Sequence, residues 1–139
     1  MRWWRLWAAG SLVAAATVAV APTLTAADAS SRPVVRIQAS NLRFCADSAA
    51  ACTSGDENYR TRVVVGTKVK WIYRDAACDA IAACPGHNVK RRHHHVSPTV
   101  KADGALITSV VFNSVGKFHY WCTIHRGAGM TGTVVVRRR

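Results

Sequence analysis

Three residues in the last quarter of the chain have side chains that could together hold one metal ion. Cys122, His125 and Met130 offer a thiolate, an imidazole and a thioether within one short segment. Gly127 and Gly129 give this segment the backbone freedom that a loop needs to turn around a single ion. A thiolate and two neutral imidazoles, with a weak axial methionine, form a site that suits both oxidation states of copper. The segment therefore predicts a copper site whose remaining ligand comes from elsewhere in the chain.

Other metal sites fit this donor set less well. Structural zinc sites usually close with four cysteine or histidine ligands, and methionine is a poor zinc ligand. The segment contains no carboxylate, which would favour a harder ion. A dinuclear copper centre would need two cysteines in the loop, whereas only Cys122 is present there. We therefore expect a single copper ion.

The elements that must position these residues are β-strands. Apolar and polar residues alternate along several short runs, as expected for half-buried strands, and glycines punctuate them where turns are needed. The stretches 45–58 and 74–92 lack this pattern and are predicted to be loops. The chain is therefore expected to fold as a small all-β, antiparallel sandwich or barrel. The predicted strands are Val34–Gln38, Thr61–Val65, Val69–Tyr73, Leu106–Phe112, Phe118–Trp121 and Thr133–Val136.

The metal-binding segment and its flanks resemble the ligand loop of cupredoxins of the plastocyanin and pseudoazurin type. In that family the loop reads Cys, two residues, His, four residues and Met, which Cys122, His125 and Met130 match. The preceding Gly116-Lys-Phe-His-Tyr-Trp-Cys122 is similar to the family's last strand before the loop, and 129–136 is similar to its closing strand. The resemblance implies a Greek-key β-sandwich with one type 1 copper ion that carries single electrons. It implies no enzymatic activity.

The upstream ligand has to be chosen among His87, His93, His94, His95 and His119. The family commonly places this histidine in a His-Asn-Val motif that follows a strand similar to 66–71, and His87-Asn88-Val89 matches that motif. The resemblance therefore selects His87 over His95, which also precedes a valine. It further implies that Asn88 ties the His87 loop to Thr123, and that His125 is the ligand at the solvent edge.

The remaining histidines are open to other roles. His119 lies on a predicted strand, where it is expected to have a surface or core role. The run His93-His94-His95 could bind a second metal ion, although neighbouring side chains of an extended segment point to opposite faces. A protein that stores or delivers copper is the alternative function, with this run as a collecting arm. A copper oxidase or nitrite reductase is not expected, because those enzymes need additional copper sites on further domains, which a single domain of this size cannot supply.

The N-terminus is predicted to direct export. A basic and aromatic start, 1–5, precedes an uncharged run rich in Ala, Val and Leu, which is typical of a secretory signal peptide. We expect the leader to be 1–29 and the copper-binding domain to be 30–139. The leader could instead remain as an anchor, because the run is long enough to span a bilayer. The expected location is the periplasm, the cell envelope or the outside of the cell.

The charge balance limits the partners. Lys and Arg total 19 against 7 Asp and Glu, which gives a formal net charge of +12. Such a chain favours acidic partners, so we expect redox partner proteins with acidic docking surfaces. The arginines are scattered and no nucleic-acid motif accompanies them, so nucleic acid is not an expected partner. We also expect a monomer with no membrane span after cleavage of the leader.

Five cysteines in an exported domain leave at least one without an intramolecular partner. The two close pairs, Cys45 with Cys52 and Cys78 with Cys84, are predicted to form disulfides in an oxidising compartment. This pairing leaves Cys122 free, although spacing alone does not prove the connectivity.

Overall fold

Within residues 31–48, 50–75 and 85–139, which the computed structural model describes, the chain forms eight β-strands in two four-stranded sheets. One sheet has the order β2-β1-β4-β6, and the other has the order β3-β8-β7-β5. The strands are β1 Val34–Ser40, β2 Arg43–Ala46, β3 Tyr59–Val64, β4 Lys68–Tyr73, β5 Lys90–Arg91, β6 Leu106–Val111, β7 Gly116–Trp121 and β8 Thr131–Arg137.

The core lies between the two sheets and is built from alternate residues of their strands. Tyr120 of β7 packs edge-on against Trp71 of β4 at 5.1 Å and against Phe44 of β2 at 4.9 Å between ring centroids. These three aromatic residues are almost completely buried. Such rings remove large apolar areas from water and therefore contribute strongly to stability. Gly132 of β8 leaves room for Tyr120, because a Cβ atom there would lie 2.3 Å from the tyrosine hydroxyl.

The all-β sandwich predicted from the sequence is confirmed. Most neighbouring strands pair antiparallel, but β1 with β4 and β3 with β8 pair in parallel. In both parallel pairs the two strands are not consecutive in the chain, as parallel pairing requires a crossover connection.

The six predicted strands are present with ends that differ by at most two residues. The predicted loop 45–58 needs correction, because Cys45 and Ala46 belong to β2 and Ser54–Asp56 form a short 3-10 turn. The predicted loop 74–92 also contains β5, which pairs with the end of β7. Strand β5 exists because a distant partner, β7, satisfies its backbone groups, which a local pattern does not reveal, whereas β2 forms a hairpin with β1 across Asn41 and Leu42.

The predicted disulfide between Cys45 and Cys52 is confirmed and connects β2 to the segment that follows it. The predicted pair Cys78 and Cys84 and the predicted leader lie outside the described residues. In the part of the chain that the structure describes, no helix has the length and apolar character needed to cross a membrane.

Candidate metal centre

His87, Cys122 and His125 converge at one end of the sandwich. The Nδ1 atoms of His87 and His125 are 3.1 Å apart, and Cys122 Sγ lies 3.6 Å from His125 Nδ1. Donor atoms of all three residues lie within 4.8 Å of one another. Cys122 is buried and is the free cysteine among the described residues. Two imidazoles and one thiol thus point their donor atoms at a common centre.

Backbone pairing fixes the position of His87. Its N–H and C=O groups form an isolated antiparallel bridge with Val100, with both N···O distances at 2.9 Å. Gly86 has a φ of +74°, and a Cβ atom on it would lie 2.6 Å from the Val100 carbonyl oxygen. A glycine is required here for both reasons. This bridge holds His87 at 2% exposure.

The segment between β7 and β8 closes into a compact loop around the cluster. Cys122 follows β7 directly, and its N–H donates to the Met130 carbonyl at 3.1 Å. The Met130 N–H donates in turn to the His125 carbonyl at 3.2 Å. Gly129, with a φ of +83°, ends the 3-10 turn Arg126–Ala128 between them. Met130 is completely buried at the start of β8, while His125 remains half-buried.

The predicted link between the two halves of the site is confirmed. Asn88 Oδ1 accepts a hydrogen bond from the Thr123 N–H at 2.8 Å, and Asn88 Nδ2 donates to Thr123 Oγ1 at 2.9 Å. Asn88 follows His87, and Thr123 follows Cys122. These bonds therefore tie together two segments that are distant in the sequence but carry neighbouring donor atoms.

Comparison with known proteins agrees with this arrangement. Residues 53–137 match the family model of copper-binding proteins of the plastocyanin/azurin family. The chain belongs to this family. No curated protein sequence matches the chain.

Solved structures of amicyanin are similar in fold to this cupredoxin. The Cu(I) form of a methionine-to-alanine variant aligns with a TM-score of 0.52 at 24% identity, covering 75% of this chain and 82% of that chain. An oxidized methionine-to-leucine variant aligns with a TM-score of 0.50 at 25% identity over 76% and 82%. A reduced tryptophan-to-tyrosine variant aligns with a TM-score of 0.52 at 22% identity over 80% and 88%. The recognition of a cupredoxin from its loop motif is thereby confirmed.

Electrostatics keep the two imidazoles of this cupredoxin neutral. Burial, and then the neighbouring His125, lower the pKa of His87 to about 4. Burial also lowers the pKa of His125. Asp75 acts in the opposite direction on both rings and raises their pKa, because its carboxylate favours a nearby positive charge, and its Oδ2 lies 3.4 Å from His87 Nε2. Burial outweighs the carboxylate, so the Nδ1 lone pairs are available to a metal ion near neutral pH.

The spacing of the donor atoms fits one first-row metal ion. Nitrogen atoms bound at about 2.0 Å with angles of about 100–120° lie about 3.1–3.5 Å apart, and a sulfur at about 2.3 Å lies about 3.3–3.7 Å from such a nitrogen. The observed 3.1 Å and 3.6 Å fall within these ranges. The donor types, one thiolate and two imidazoles beside a buried methionine, are those of a blue-copper site.

The other histidines lie outside this cluster. Among the described residues, no group of three metal-binding side chains includes His93, His94, His95 or His119. His119 is exposed on β7, and its Nδ1 is 2.9 Å from Thr133 Oγ1, so of the two roles expected for it, surface or core, the structure shows the surface one. Cys45, Cys52 and Asp56 also lie close together, but both sulfurs belong to the disulfide.

Sequence reasoning did not anticipate Asp75 or Val100 beside His87. No local signal marks Val100, and none shows that Asp75 meets His87, because both contacts depend on how distant segments meet. A carboxylate just after the strand β4 would have been the available clue for Asp75.

Proposed function

We propose that this cupredoxin binds one type 1 copper ion through His87, Cys122, His125 and Met130 and transfers single electrons between redox partner proteins. The observation that carries the proposal is the convergence of two imidazole Nδ1 atoms on one buried, free cysteine sulfur. When bound, copper would supply a one-electron couple between Cu(II) and Cu(I). No substrate would be transformed.

The residues around the site would make electron transfer fast by holding the ligands in a fixed geometry. His87 is held by its bridge to Val100, and Cys122 is held by its bond to the Met130 carbonyl. Asn88 and Thr123 join the two segments. A ligand set fixed in this way would change little in geometry when the charge of the ion changes, so each electron transfer would require little rearrangement.

Two side chains would determine the reduction potential of the ion and the route by which electrons reach it. Met130 is completely buried, and it would act as the weak axial ligand that tunes the reduction potential. His125 is more exposed than His87 and Cys122, and it would be the ligand through which electrons enter and leave.

The proposal includes export of the protein. The leader expected at 1–29 would place the domain in the periplasm, in the cell envelope or outside the cell, where the Cys45–Cys52 disulfide is stable. The excess of basic residues would favour redox partners with acidic surfaces.

Voltammetry of the copper-loaded protein, with copper measured before and after cycling, tests the proposal. We expect a reversible one-electron wave with the ion retained, and no such wave for Cys122→Ser. Release of copper upon reduction would contradict an electron carrier and would support copper delivery instead.

A further inference from the structure

A basic groove lies at the edge of the second sheet, away from the metal-binding side chains. Strand β5 pairs only with Tyr120 and Trp121, so it leaves the first part of β7 uncovered. The turn that follows β5 faces this uncovered part across a cavity of about 330 Å³. Its lining residues are Arg91, Arg92, His93, His94, Lys117, Phe118 and His119. We call this cavity the basic groove.

The polar side chains that line the groove are all basic. Three side chains, Arg91, Arg92 and Lys117, carry permanent positive charges, and three more are imidazoles. The positive charge of Arg91 is the largest cause of the lowered pKa of His94, because it disfavours a second positive charge in the same turn. The ring of Phe118 packs on Phe112 in the core, so the outward-facing side chains of β7 in the lining are those of Lys117 and His119.

No carboxylate side chain of the described residues lines the groove. Asp47 pairs with Arg74, Glu57 pairs with Arg43, and Asp75 lies beside His87. Asp56 binds the backbone of its own turn. An anionic ligand would therefore meet no competing acidic side chain in the lining.

Neighbouring strands extend the positive surface. The register pairs Arg60 and Arg62 of β3 with Thr133 and Val135 of β8, and these two β8 residues pair in turn with His119 and Lys117. Side chains of paired residues lie on the same face of a sheet. Arg60, Arg62, Lys117 and His119 thus share the outer face, and all four are exposed.

The groove is also close to the metal centre along the chain. Lys90 of β5 pairs with Trp121, the residue before Cys122, and β5 begins shortly after His87. At about 3.3 Å per residue, His119 lies about 10 Å from Cys122 along β7. Arg126 of the metal loop stacks over Trp121 at 4.7 Å from the ring centroid, which continues the positive surface to the loop.

We propose that the basic groove is the docking site for an acidic segment of a redox partner protein, with Asp or Glu side chains entering between Arg91, Arg92 and Lys117. This inference rests on the proposed electron transfer for the identity of the partner, but not for the binding of the carboxylates. A segment rich in carboxylates suits the groove because the guanidinium groups of Arg91 and Arg92 can each bind a carboxylate in a bidentate manner, with Lys117 beside them. The lining residues of β7 are three to five positions from Cys122, so the bound segment would lie about 10–17 Å from Cys122 along the chain.

A synthetic decapeptide of glutamate, titrated into the full ¹⁵N-labelled chain without copper and again with Cu(I), tests the docking site. We expect amide shifts centred on 91–94 and 117–119 in both forms. The triple variant Arg91→Glu, Arg92→Glu, Lys117→Glu should bind at least about tenfold more weakly, because it replaces three attractive contacts with repulsive ones.

The matched control carries the same change in net charge at Lys68 and Lys70 of β4 in the other sheet and at Arg32 just before β1, as Arg32→Glu, Lys68→Glu and Lys70→Glu. Its affinity should fall by less than about threefold, since only screened long-range attraction is lost. Equal losses in both variants, or shifts centred elsewhere, would overturn the proposal. Tighter binding of phosphatidylglycerol vesicles or of inorganic polyphosphate, lost in the groove variant alone, would also overturn it in favour of a phosphate ligand. Because the titration without copper needs no redox activity, its failure is distinguishable from failure of the voltammetry.

Discussion

Asn88 and Thr123 are joined by two short hydrogen bonds, although they are 35 positions apart in the sequence. Each residue directly follows a candidate ligand, His87 or Cys122. The bonds therefore add a side-chain link directly beside an imidazole and a thiolate, whose segments are also joined by the pairing of Lys90 with Trp121. Groups that orient metal ligands in this way commonly change metal affinity 10–100-fold when they are removed.

Asn88→Ala should weaken copper binding by about 10–100-fold, because the Cys122 and His87 segments lose the side-chain link that lies directly beside both ligands. Competition with a copper chelator measures the affinity. Asn113→Ala, which removes an exposed asparagine from the loop between β6 and β7, is the matched control and should leave the affinity unchanged. Equal copper affinities for the unaltered protein, Asn88→Ala and Asn113→Ala would show that the hydrogen bonds between Asn88 and Thr123 do not position the ligands.

Gly86→Ala should destabilise the protein and impair copper binding, since the new Cβ would lie 2.6 Å from the Val100 carbonyl oxygen that anchors His87. Gly66 also has a positive φ, +90°, but nothing lies within 4 Å of a Cβ placed there. Gly66→Ala therefore isolates the backbone strain, which costs about 1–2 kcal/mol. Urea unfolding and copper titration should show a larger loss for Gly86→Ala by about 2 kcal/mol or more. Identical losses for the two variants would refute a steric role for Gly86.

The parts of the site that could be predicted from the sequence are those that lie in one continuous segment. Cys122, His125 and Met130 belong to a single loop between two strands, so their spacing already limits how they can face one ion. His87 required the family motif, because its approach to the loop depends on a bridge to Val100 and on the Asn88 link. Asp75 was missed for the same reason, since only the assembled fold brings it to His87.

The fold also has parts that a local sequence pattern predicts and parts that depend on contacts between distant segments. Strands such as β4 and β8 carry long apolar patterns and were predicted closely. Strand β5 has two residues, and its conformation depends entirely on pairing with β7. Parallel pairing of β1 with β4 and of β3 with β8 involves residues far apart in the chain, which alternation within each strand does not reveal.

The metal-free protein should lose stability as the pH falls through the window from about 6.5 to 4. His87 has a folded-state pKa of about 4 against an ordinary value of 6.5, so the unfolded chain binds more protons in this window. The free energy of unfolding that the neutral His87 contributes is present in full well above pH 6.5. About 2 kcal/mol of it should be lost by pH 5. Urea unfolding at pH 7.5 and pH 5 measures the change. Other groups also titrate in this range, so the His87→Gln variant is the control and should show a pH dependence smaller by that amount. An unchanged slope in the variant would contradict a buried, neutral His87.

Replacing Cys45 and Cys52 together by alanine should reduce stability without changing the metal centre. The disulfide closes a short loop on the first sheet, for which chain entropy predicts a contribution of about 2–3 kcal/mol. Thermal unfolding should therefore shift to lower temperature while copper affinity is retained. Loss of copper binding in a variant that is still folded would show that this loop supports the site directly.

The ligation of copper by the Cys122 sulfur is tested most directly by adding Cu(II) to the protein with Cys122 in its thiol form and recording the visible spectrum. Charge transfer from a thiolate to Cu(II) would give an intense blue colour that saturates at one copper ion per chain. Thr123→Ser, which retains a hydroxyl and the backbone N–H beside the cysteine, should remain blue, whereas Cys122→Ser should be colourless. A Cys122→Ser variant as blue as the unaltered protein would contradict the assignment of the ligands and, with it, the proposed function.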